Sequence, residues 1–114
     1  MRVTSDLFVS SLIRRAFAAG GFAAIVHRGA TEAGAIFVVE RGRNGAVSLF
    51  APAPQTGYGE GRPGGRLFVL LPEIVDEDTL SRKLERELKF DPDAWVVELE
   101  LSTPVSDMID LATP

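Results

Sequence analysis

Cysteine is absent from this sequence of 114 residues, and histidine occurs once, at position 27. Without a thiol the chain can form neither a disulfide bond nor a thiolate nucleophile, and it cannot ligate zinc or an iron–sulfur cluster through sulfur. Any Ser–His–acid triad would have to use His27, and the sequence contains no G-x-S-x-G nucleophile motif. We therefore predict no metal and no cofactor, and the composition argues against an enzyme.

Long apolar segments are also lacking. The two longest, residues 22–26 and 67–71, are far shorter than the roughly 20 residues that span a bilayer. Asp6 lies where the apolar segment of a signal peptide would begin. We expect a cytoplasmic protein without membrane contact, with a single α+β domain over residues 1–102 and a C-terminal tail over residues 103–114.

Charge is unevenly distributed along the chain, whose net charge is −4. Residues 1–66 contain eight arginines and four acids, a net charge of +4, whereas residues 67–114 contain four cations and twelve acids, a net charge of −8. Either the two halves neutralise each other within the fold, which is the preferred interpretation, or the basic half attracts phosphate groups.

The first predicted element is a helix. Thr4 or Ser5 can cap it, and Asp6 places a negative charge in its first turn, where the helix dipole favours one. Apolar residues then recur at helical spacing, and Gly20-Gly21 supplies a left-handed C-terminal cap. These apolar residues are Phe8, Val9, Leu12, Ile13, Ala16 and Phe17. So wide an apolar stripe indicates a helix that protein largely covers.

Three strands are predicted next, at residues 22–28, 35–41 and 46–51. The second is rich in β-branched and aromatic residues, and the Asn44-Gly45 pair after it is a strong hairpin signal. Because strands joined by short turns pair with one another, we expect an antiparallel meander.

A long loop and a fourth strand follow. Residues 52–65 contain three prolines and five glycines, which predicts a loop of the length often found at functional or mobile sites. Gln55 and Tyr58 in this loop are candidates for ligand contact. Residues 66–71 are predicted to form the fourth strand.

The last third of the chain predicts a helix, a strand and a tail. Asp76 or Asp78 begins the helix, which ends before Pro92 because the residue preceding a proline disfavours helical geometry. Residues 94–101 form the last predicted strand, and residues 103–112 are expected to form a short helix.

These elements predict an α+β fold in the order α-β-β-β-β-α-β, followed by a short C-terminal helical tail. The sheet is expected to be mainly antiparallel, with about five strands. Residues 22–26 and 67–71 are apolar on both faces of their strands, but two helices would cover one face of the sheet and hardly both. We therefore expect the uncovered face to bind a second copy of the chain or another protein.

Four stretches of the sequence are similar to a known family. They are Thr4-Ser5-Asp6 with Arg14-Arg15, Ala33-Gly34-Ala35-Ile36-Phe37, Ala51-Pro52-Ala53-Pro54-Gln55, and Phe90-Asp91-Pro92-Asp93 followed by Trp95-Val96-Val97-Glu98. With them the chain resembles an uncharacterised group of short alphaproteobacterial proteins, catalogued only as a domain of unknown function. It differs from the pattern at Phe8, where relatives have Trp, and at Ala51, where they have Gly. The tail after Glu100 lies outside the shared pattern. The resemblance implies a cytoplasmic protein of one domain and transfers no catalytic residues.

Glu98 and Glu100 form a carboxylate pair with a spacing that catalysis can use. They share one face of the last predicted strand, which places their carboxyl groups roughly 6–7 Å apart, within the range of glycosidase pairs. Glutamates alternating on the solvent side of an edge strand are far commoner, and an arginine of a neighbouring strand would neutralise Glu98. A hydrolase built on His27 and this pair is therefore the weakest of three hypotheses, and we expect His27 to be structural.

Arginine accounts for ten of the twelve cations and is suited to bidentate contacts with oxyanions. Adjacent helical positions point about 100° apart, so Arg14 and Arg15 cannot reach one target, and we expect one of them to pair with an acid such as Glu98. The candidate ligand-binding residues are Arg14, Arg15, Arg28, Gln55, Tyr58 and Arg66, with Arg41 and Arg43 added for a nucleic-acid surface.

Two functional hypotheses are favoured over the hydrolase. The preferred hypothesis is a non-enzymatic interaction module, a homodimer that contacts protein through an apolar sheet face and the 52–65 loop. The alternative is an anion or nucleic-acid binder with a contiguous arginine surface, whose affinity would fall steeply with salt. The net charge of −4 argues against strong nucleic-acid binding.

Overall fold

The computed structural model describes residues 3–54 and 66–112. In this part of the chain two α-helices and six strands follow one another. They are α1 (Ser5–Ala18), β1 (Phe22–His27), β2 (Ile36–Arg41), β3 (Val47–Pro52), β4 (Leu67–Leu70), α2 (Glu77–Phe90), β5 (Trp95–Glu100) and β6 (Asp110–Leu111). The predicted α+β class is confirmed, with one strand more than expected.

The strands form one mixed sheet in the order β1-β5-β2-β3-β4-β6. The pairs β1–β5, β2–β3 and β3–β4 are antiparallel, whereas β2–β5 and β4–β6 are parallel. The meander predicted for the first three strands is wrong, because β5 lies between β1 and β2. Residues 28–35, which join β1 to β2, do not form a hairpin, and their Ala30 N donates a hydrogen bond of 2.9 Å to Asp93 O beside the start of β5.

One helix lies on each face of the sheet. Val9 and Leu12 of α1 pack into a core with Val97 of β5, which we call the α1 core. Leu80 of α2 packs into a second core with Val96 of β5, which we call the α2 core. Since consecutive strand residues point to opposite faces, the two helices cover opposite faces. The expectation of an uncovered sheet face is therefore wrong, because one helix serves each face.

The predicted helix starts are confirmed. The Thr4 side chain accepts a hydrogen bond of 3.2 Å from Leu7 N at the start of α1. Asp76 and Thr79 form a reciprocal capping box at the start of α2. Hydrogen bonds from the Thr79 backbone and side chain favour the charged Asp76 carboxylate and hold its pKa below the ordinary value. Neither helix of the described chain is long and apolar enough to cross a membrane.

The C-terminal tail differs from the short helix that was expected. Val105–Asp107 form a single 3₁₀ turn, and Asp110–Leu111 form β6 beside β4. Val105 and Ile109 enter the α1 core, and Ala112 N donates a hydrogen bond of 2.7 Å to Phe68 O. The tail therefore buries Val105 and Ile109, but its last residues pair with the edge of β4 and do not continue as a helix. An edge strand offers unpaired backbone groups to a segment that is distant in the sequence, which a local pattern does not reveal.

The β2–β3 hairpin requires a left-handed backbone at its turn, where Asn44 and Gly45 have φ angles of 68° and 77°. Asparagine adopts this conformation more readily than alanine, so we expect Asn44→Ala to lower the free energy of unfolding by about 1 kcal/mol. Urea denaturation would measure the change. Arg43→Ala, an exposed substitution in the same turn, is the control, and equal losses in the two variants would contradict the explanation.

Candidate functional site

The loop that joins β1 to β2, residues 28–35, is bound by α1 at one end of the sheet. Ser5 N donates a hydrogen bond of 3.1 Å to Glu32 O, and Asp6 N donates one of 2.9 Å to Thr31 O. Thr4 accepts from Leu7 N, so the first donors of the helix are occupied by protein groups. The start of α1 therefore acts as an anchor for the 28–35 loop and not as an anion site of its own.

The same loop is bound by the segment before β5. Trp95 Nε1 donates a hydrogen bond of 2.7 Å to Ala30 O, and Trp95 N donates one of 2.7 Å to Ala35 O. Gly34 packs so closely here that an added Cβ would overlap Asp93 O and lie 3.1 Å from Trp95 Cδ1. The loop is thus held on two sides, and its backbone has little freedom to move.

An open cavity of about 480 Å³ adjoins this loop. Most of its lining residues have small side chains, and one cation and one acid are among them. The lining residues are Val3, Thr4, Glu32, Ala33, Gly34, Ala35, Pro52, Ala53 and Arg66. We call this space the Arg66 cavity.

Contacts with residues 3–8 help to hold Arg66 in place. Its Nη2 donates hydrogen bonds to Val3 O at 3.1 Å and to Ser5 Oγ at 3.2 Å, and its Cζ lies 5.6 Å from the centre of the Phe8 ring. Ser5 is fully buried and donates a hydrogen bond of 2.6 Å to Gly34 O. The Arg66–Ser5–Gly34 chain of hydrogen bonds connects three separate segments, which presets the shape of the cavity wall.

Parts of all four stretches that resemble the family meet at this end of the sheet. The first supplies Thr4, the second Gly34 and the third Pro52 of the cavity, while the fourth supplies Asp93 and Trp95 behind the loop. Of the lining residues, Arg66 was the one predicted from the sequence as a ligand-binding residue. The sequence does contain small residues directly before β2 and directly after β3. Small side chains leave the backbone accessible at this end of the two strands.

The candidate arginines do not gather into one site. Arg66 lines the cavity, and Arg28 lies with its Cζ 5.3 Å from the centre of the Trp95 ring. Arg15 is in the last turn of α1, roughly 15 Å along the helix from Ser5, and its Nη1 donates a hydrogen bond of 2.9 Å to Met108 O. Arg14 is exposed on the same helix.

Arg41 belongs to a separate ion-pair network. Its Nε donates to Glu98 Oε2 at 2.7 Å, and its Nη1 pairs with Glu77 at the start of α2. The hydrogen bond with Glu77, with a further contribution from Glu98, raises the pKa of Arg41 above its ordinary value. The expected pairing of Glu98 with Arg14 or Arg15 is wrong. The other expectation, that an arginine of a neighbouring strand neutralises Glu98, is confirmed, because β2 lies beside β5 and carries Arg41. Arg43 is exposed in the hairpin turn.

His27 and the two glutamates are not brought together. His27 is half-buried with its Nδ1 2.9 Å from Ala94 O, and it pairs in register with Val96. Glu100 pairs with Phe22 at the other end of β1, roughly 16 Å away along the strand. The Glu98 carboxylate forms an ion pair with Arg41. This geometry provides no catalytic arrangement of the three residues.

Two candidate residues, Gln55 and Tyr58, lie outside the residues that the structure describes, as does most of the predicted 52–65 loop. The described part of that loop contributes Pro52 and Ala53 to the cavity.

Residues 3–106 match the family described as "Protein of unknown function (DUF1491)". The chain belongs to this family. The resemblance found in the sequence is confirmed, and the match extends past Glu100, where the shared pattern was expected to end. None of the curated proteins compared with the chain matches it.

Solved structures of the DUF1491 family and its relatives have the same fold. The solution structure of protein Atu0922 from A. tumefaciens is 43% identical, with a TM-score of 0.82 over 100% of this chain and 98% of that one. The crystal structure of a DUF1491 family protein from Caulobacter crescentus is 30% identical, with a TM-score of 0.79 over 99% of this chain and 100% of that one. An NMR structure of a DUF1491 protein from C. crescentus is also 30% identical, with a TM-score of 0.78 over 99% of both chains.

Proposed function

We propose that this DUF1491 protein is a cytoplasmic, non-enzymatic interaction module that self-associates through edge strand β1. The observation that supports this proposal is the exposure of large apolar side chains on that edge. Phe22 and Val26 of β1 are 46% and 56% exposed, and Phe17 of α1, which is 52% exposed, contacts Phe22 in a T-shaped arrangement with ring centres 5.7 Å apart.

The edge of β1 lacks the usual protection against pairing. Soluble proteins protect edge strands with lysine, proline or inward-pointing charges, yet the stretch Phe22-Ala23-Ala24-Ile25-Val26 contains none of these. A bulge between Ile25 and His27 disturbs only the end of the strand. Within residues 3–54 and 66–112, β1 pairs with β5 along one edge. The opposite edge of β1 can therefore pair with another chain.

A second copy of the chain suits this edge. Antiparallel pairing of β1 with itself about a twofold axis would use the outer backbone groups of both copies and extend two six-stranded sheets into one. The uncharged stretch sets no like charges opposite each other. Since each sheet face already carries a helix, the proposed contact lies at the strand edge and no longer at the sheet face that the sequence suggested.

The oligomeric state of the full chain tests this proposal. We expect light scattering and sedimentation over a wide concentration range to give twice the monomer mass of 12.3 kDa. Val26→Lys should raise the dissociation constant of the dimer roughly 30-fold or more, because it removes an exposed apolar side chain from the contact and places a lysine charge on the edge of each copy. Val75→Lys changes another exposed valine, in the turn before α2, and should leave the dimer intact. A strict monomer, or a dimer equally stable in both variants, would exclude the β1 interface.

A further inference from the structure

The side chains of β1 that point away from the α1 core are not covered by α2. Ala23 is 5% exposed and lies in the α1 core, so strand alternation turns its neighbours Phe22 and Ala24 toward the α2 face. Among the strands, α2 contacts β3 most, and β3 lies three strands from β1, a distance of roughly 14 Å. Phe22 and Val26 therefore stay exposed on either side of the smaller Ala24.

A twofold axis restricts the registers in which β1 can pair with itself. An axis perpendicular to the sheet makes the two strands antiparallel and keeps both α1 helices on the same face. One residue of β1 then lies on the axis, opposite its own copy. For the three central residues of the uncharged stretch, Ala23, Ala24 and Ile25, each choice places different side chains opposite Phe22 and Val26.

The register with Ala24 on the axis pairs the exposed apolar side chains with each other. Phe22 of each copy lies opposite Val26 of the other, and aromatic–β-branched pairs of this kind stabilise antiparallel strands. Phe17, whose ring centre lies 5.7 Å from that of Phe22, adds a third apolar side chain at each end of the contact. Because Val26 lies at the bulge of β1, its pair with Phe22 is the last one on each side of the axis.

The two neighbouring registers match less well. With the axis one residue earlier, Val26 lies opposite Gly20, which has no side chain and whose φ of 84° ends the extended backbone. With the axis one residue later, Phe22 lies opposite Arg28, whose guanidinium lies over the Trp95 ring of its own chain. Each of these registers leaves one of the two exposed side chains without an apolar partner.

We infer that β1 pairs with the β1 of a second copy in the register that places Ala24 on the twofold axis. The inference rests on the proposed self-association and identifies the residues that meet. The backbone groups of a strand edge can pair in several registers, so side chains must select one. Phe22 and Val26 are the residues that make this selection.

Disulfide cross-linking of the full chain tests the register, because the sequence contains no cysteine. Directly opposite residues of antiparallel strands have Cα atoms about 4.5–5.5 Å apart, which a disulfide can bridge. Under mild oxidation we expect Ala24→Cys to form a covalent dimer at least roughly tenfold faster than Ala46→Cys, which carries its thiol in the exposed β2–β3 turn. Ala23→Cys and Ile25→Cys, which lie on the axis in the neighbouring registers, should be as slow as Ala46→Cys. Gel electrophoresis without reductant would measure the rates.

Light scattering on the reduced cysteine variants distinguishes a wrong register from a wrong function. If the variants are dimers and Ala24→Cys cross-links no faster than Ala46→Cys, the register is wrong and self-association stands. Fast cross-linking of Ala23→Cys or Ile25→Cys would likewise assign a different register. A monomer at every concentration would overturn the inference together with the proposed function.

A double-mutant cycle provides a test without cysteine. Phe22 and Val26 lie roughly 13 Å apart along one strand, too far for substitutions to interact within a chain, but they are opposite each other in the dimer. We expect Phe22→Ala and Val26→Ala each to raise the Kd of the dimer about fivefold or more, and the double variant to fall short of the product by about threefold or more. Leu70→Ala, at a side chain that is 48% exposed on β4, should leave the Kd unchanged. Sedimentation would measure the Kd values, and independent effects at the two β1 positions would contradict their direct contact.

Discussion

Trp95→Ala is expected to lower the free energy of unfolding by about 3–5 kcal/mol. Trp95 is 1% exposed and lies in the α1 core. Its Nε1 donates a hydrogen bond of 2.7 Å to Ala30 O, and Arg28 stacks on its other side with Cζ 5.3 Å from the ring centre. Truncation would therefore leave a cavity in the core, remove one attachment of the 28–35 loop, and release Arg28.

Trp95→Phe separates the packing from the hydrogen bond. It keeps an aromatic ring in the core and loses the bond to Ala30 O, so we expect a loss of about 1–2 kcal/mol. Phe90→Ala, at an aromatic residue that is 89% exposed, should change stability by less than about 0.5 kcal/mol.

Urea denaturation followed by circular dichroism would compare these variants, since Trp95 is the single tryptophan and its fluorescence is lost with it. A loss in Trp95→Ala no larger than that in Phe90→Ala would show that the ring does not support the core.

Gly34→Ala is expected to cost about 1–3 kcal/mol, because the new Cβ would meet a backbone oxygen. At this position a Cβ would overlap Asp93 O, which cannot move without disturbing the start of β5, and would lie 3.2 Å from Ala30 N. The 28–35 loop would have to shift away from β5, so we also expect the amide shifts of residues 33–35 to change.

Gly42→Ala is the matched control for Gly34→Ala. At Gly42 the nearest atom to an added Cβ is Ala46 Cβ at 3.6 Å, an ordinary contact. Alanine there reduces the freedom of the unfolded chain, so we expect stability to rise by about 0.4–1 kcal/mol or to stay unchanged. Thermal and urea unfolding would measure both variants. If the two glycines responded alike, close packing of the loop on β5 would not be the cause.

Predictions that depended on neighbouring residues agree with the structure. Thr4 and Asp76 cap the helices, and Asn44-Gly45 forms the hairpin turn between β2 and β3. Strand alternation also holds along β5, where Trp95 and Val97 lie in the α1 core and Val96 lies in the α2 core. In each case the interacting groups lie within a few residues of each other, where backbone geometry leaves few alternatives.

Predictions that depended on distant segments agree less often. The insertion of β5 beside β1 and β2 was missed, as was β6 on the edge of β4. For Glu98 two partners were expected, an arginine of a neighbouring strand or one of Arg14 and Arg15, and only the structure shows that it is Arg41 of β2. Such partners depend on the strand order, which is selected by the combined burial of many side chains and leaves no local signal.

The candidate site shows the same division. Arg66 was identified from its charge, but nothing near it in the sequence indicated that Glu32, Gly34 and Pro52 would lie beside it. Glu32 and Gly34 precede β2, and Pro52 ends β3. They lie beside Arg66 at one end of the sheet only because β2, β3 and β4 lie side by side there.

The absence of cysteine excludes thiol chemistry, and the helix caps, hairpin turn and strand faces follow from the sequence by itself, because composition and short-range geometry determine them. The mixed strand order, the placement of one helix on each face, the exposed β1 edge and the Arg66 cavity were decided only by the tertiary structure. Each of these features depends on contacts between segments that are far apart in the chain. Such contacts stabilise the fold only when the whole core has formed.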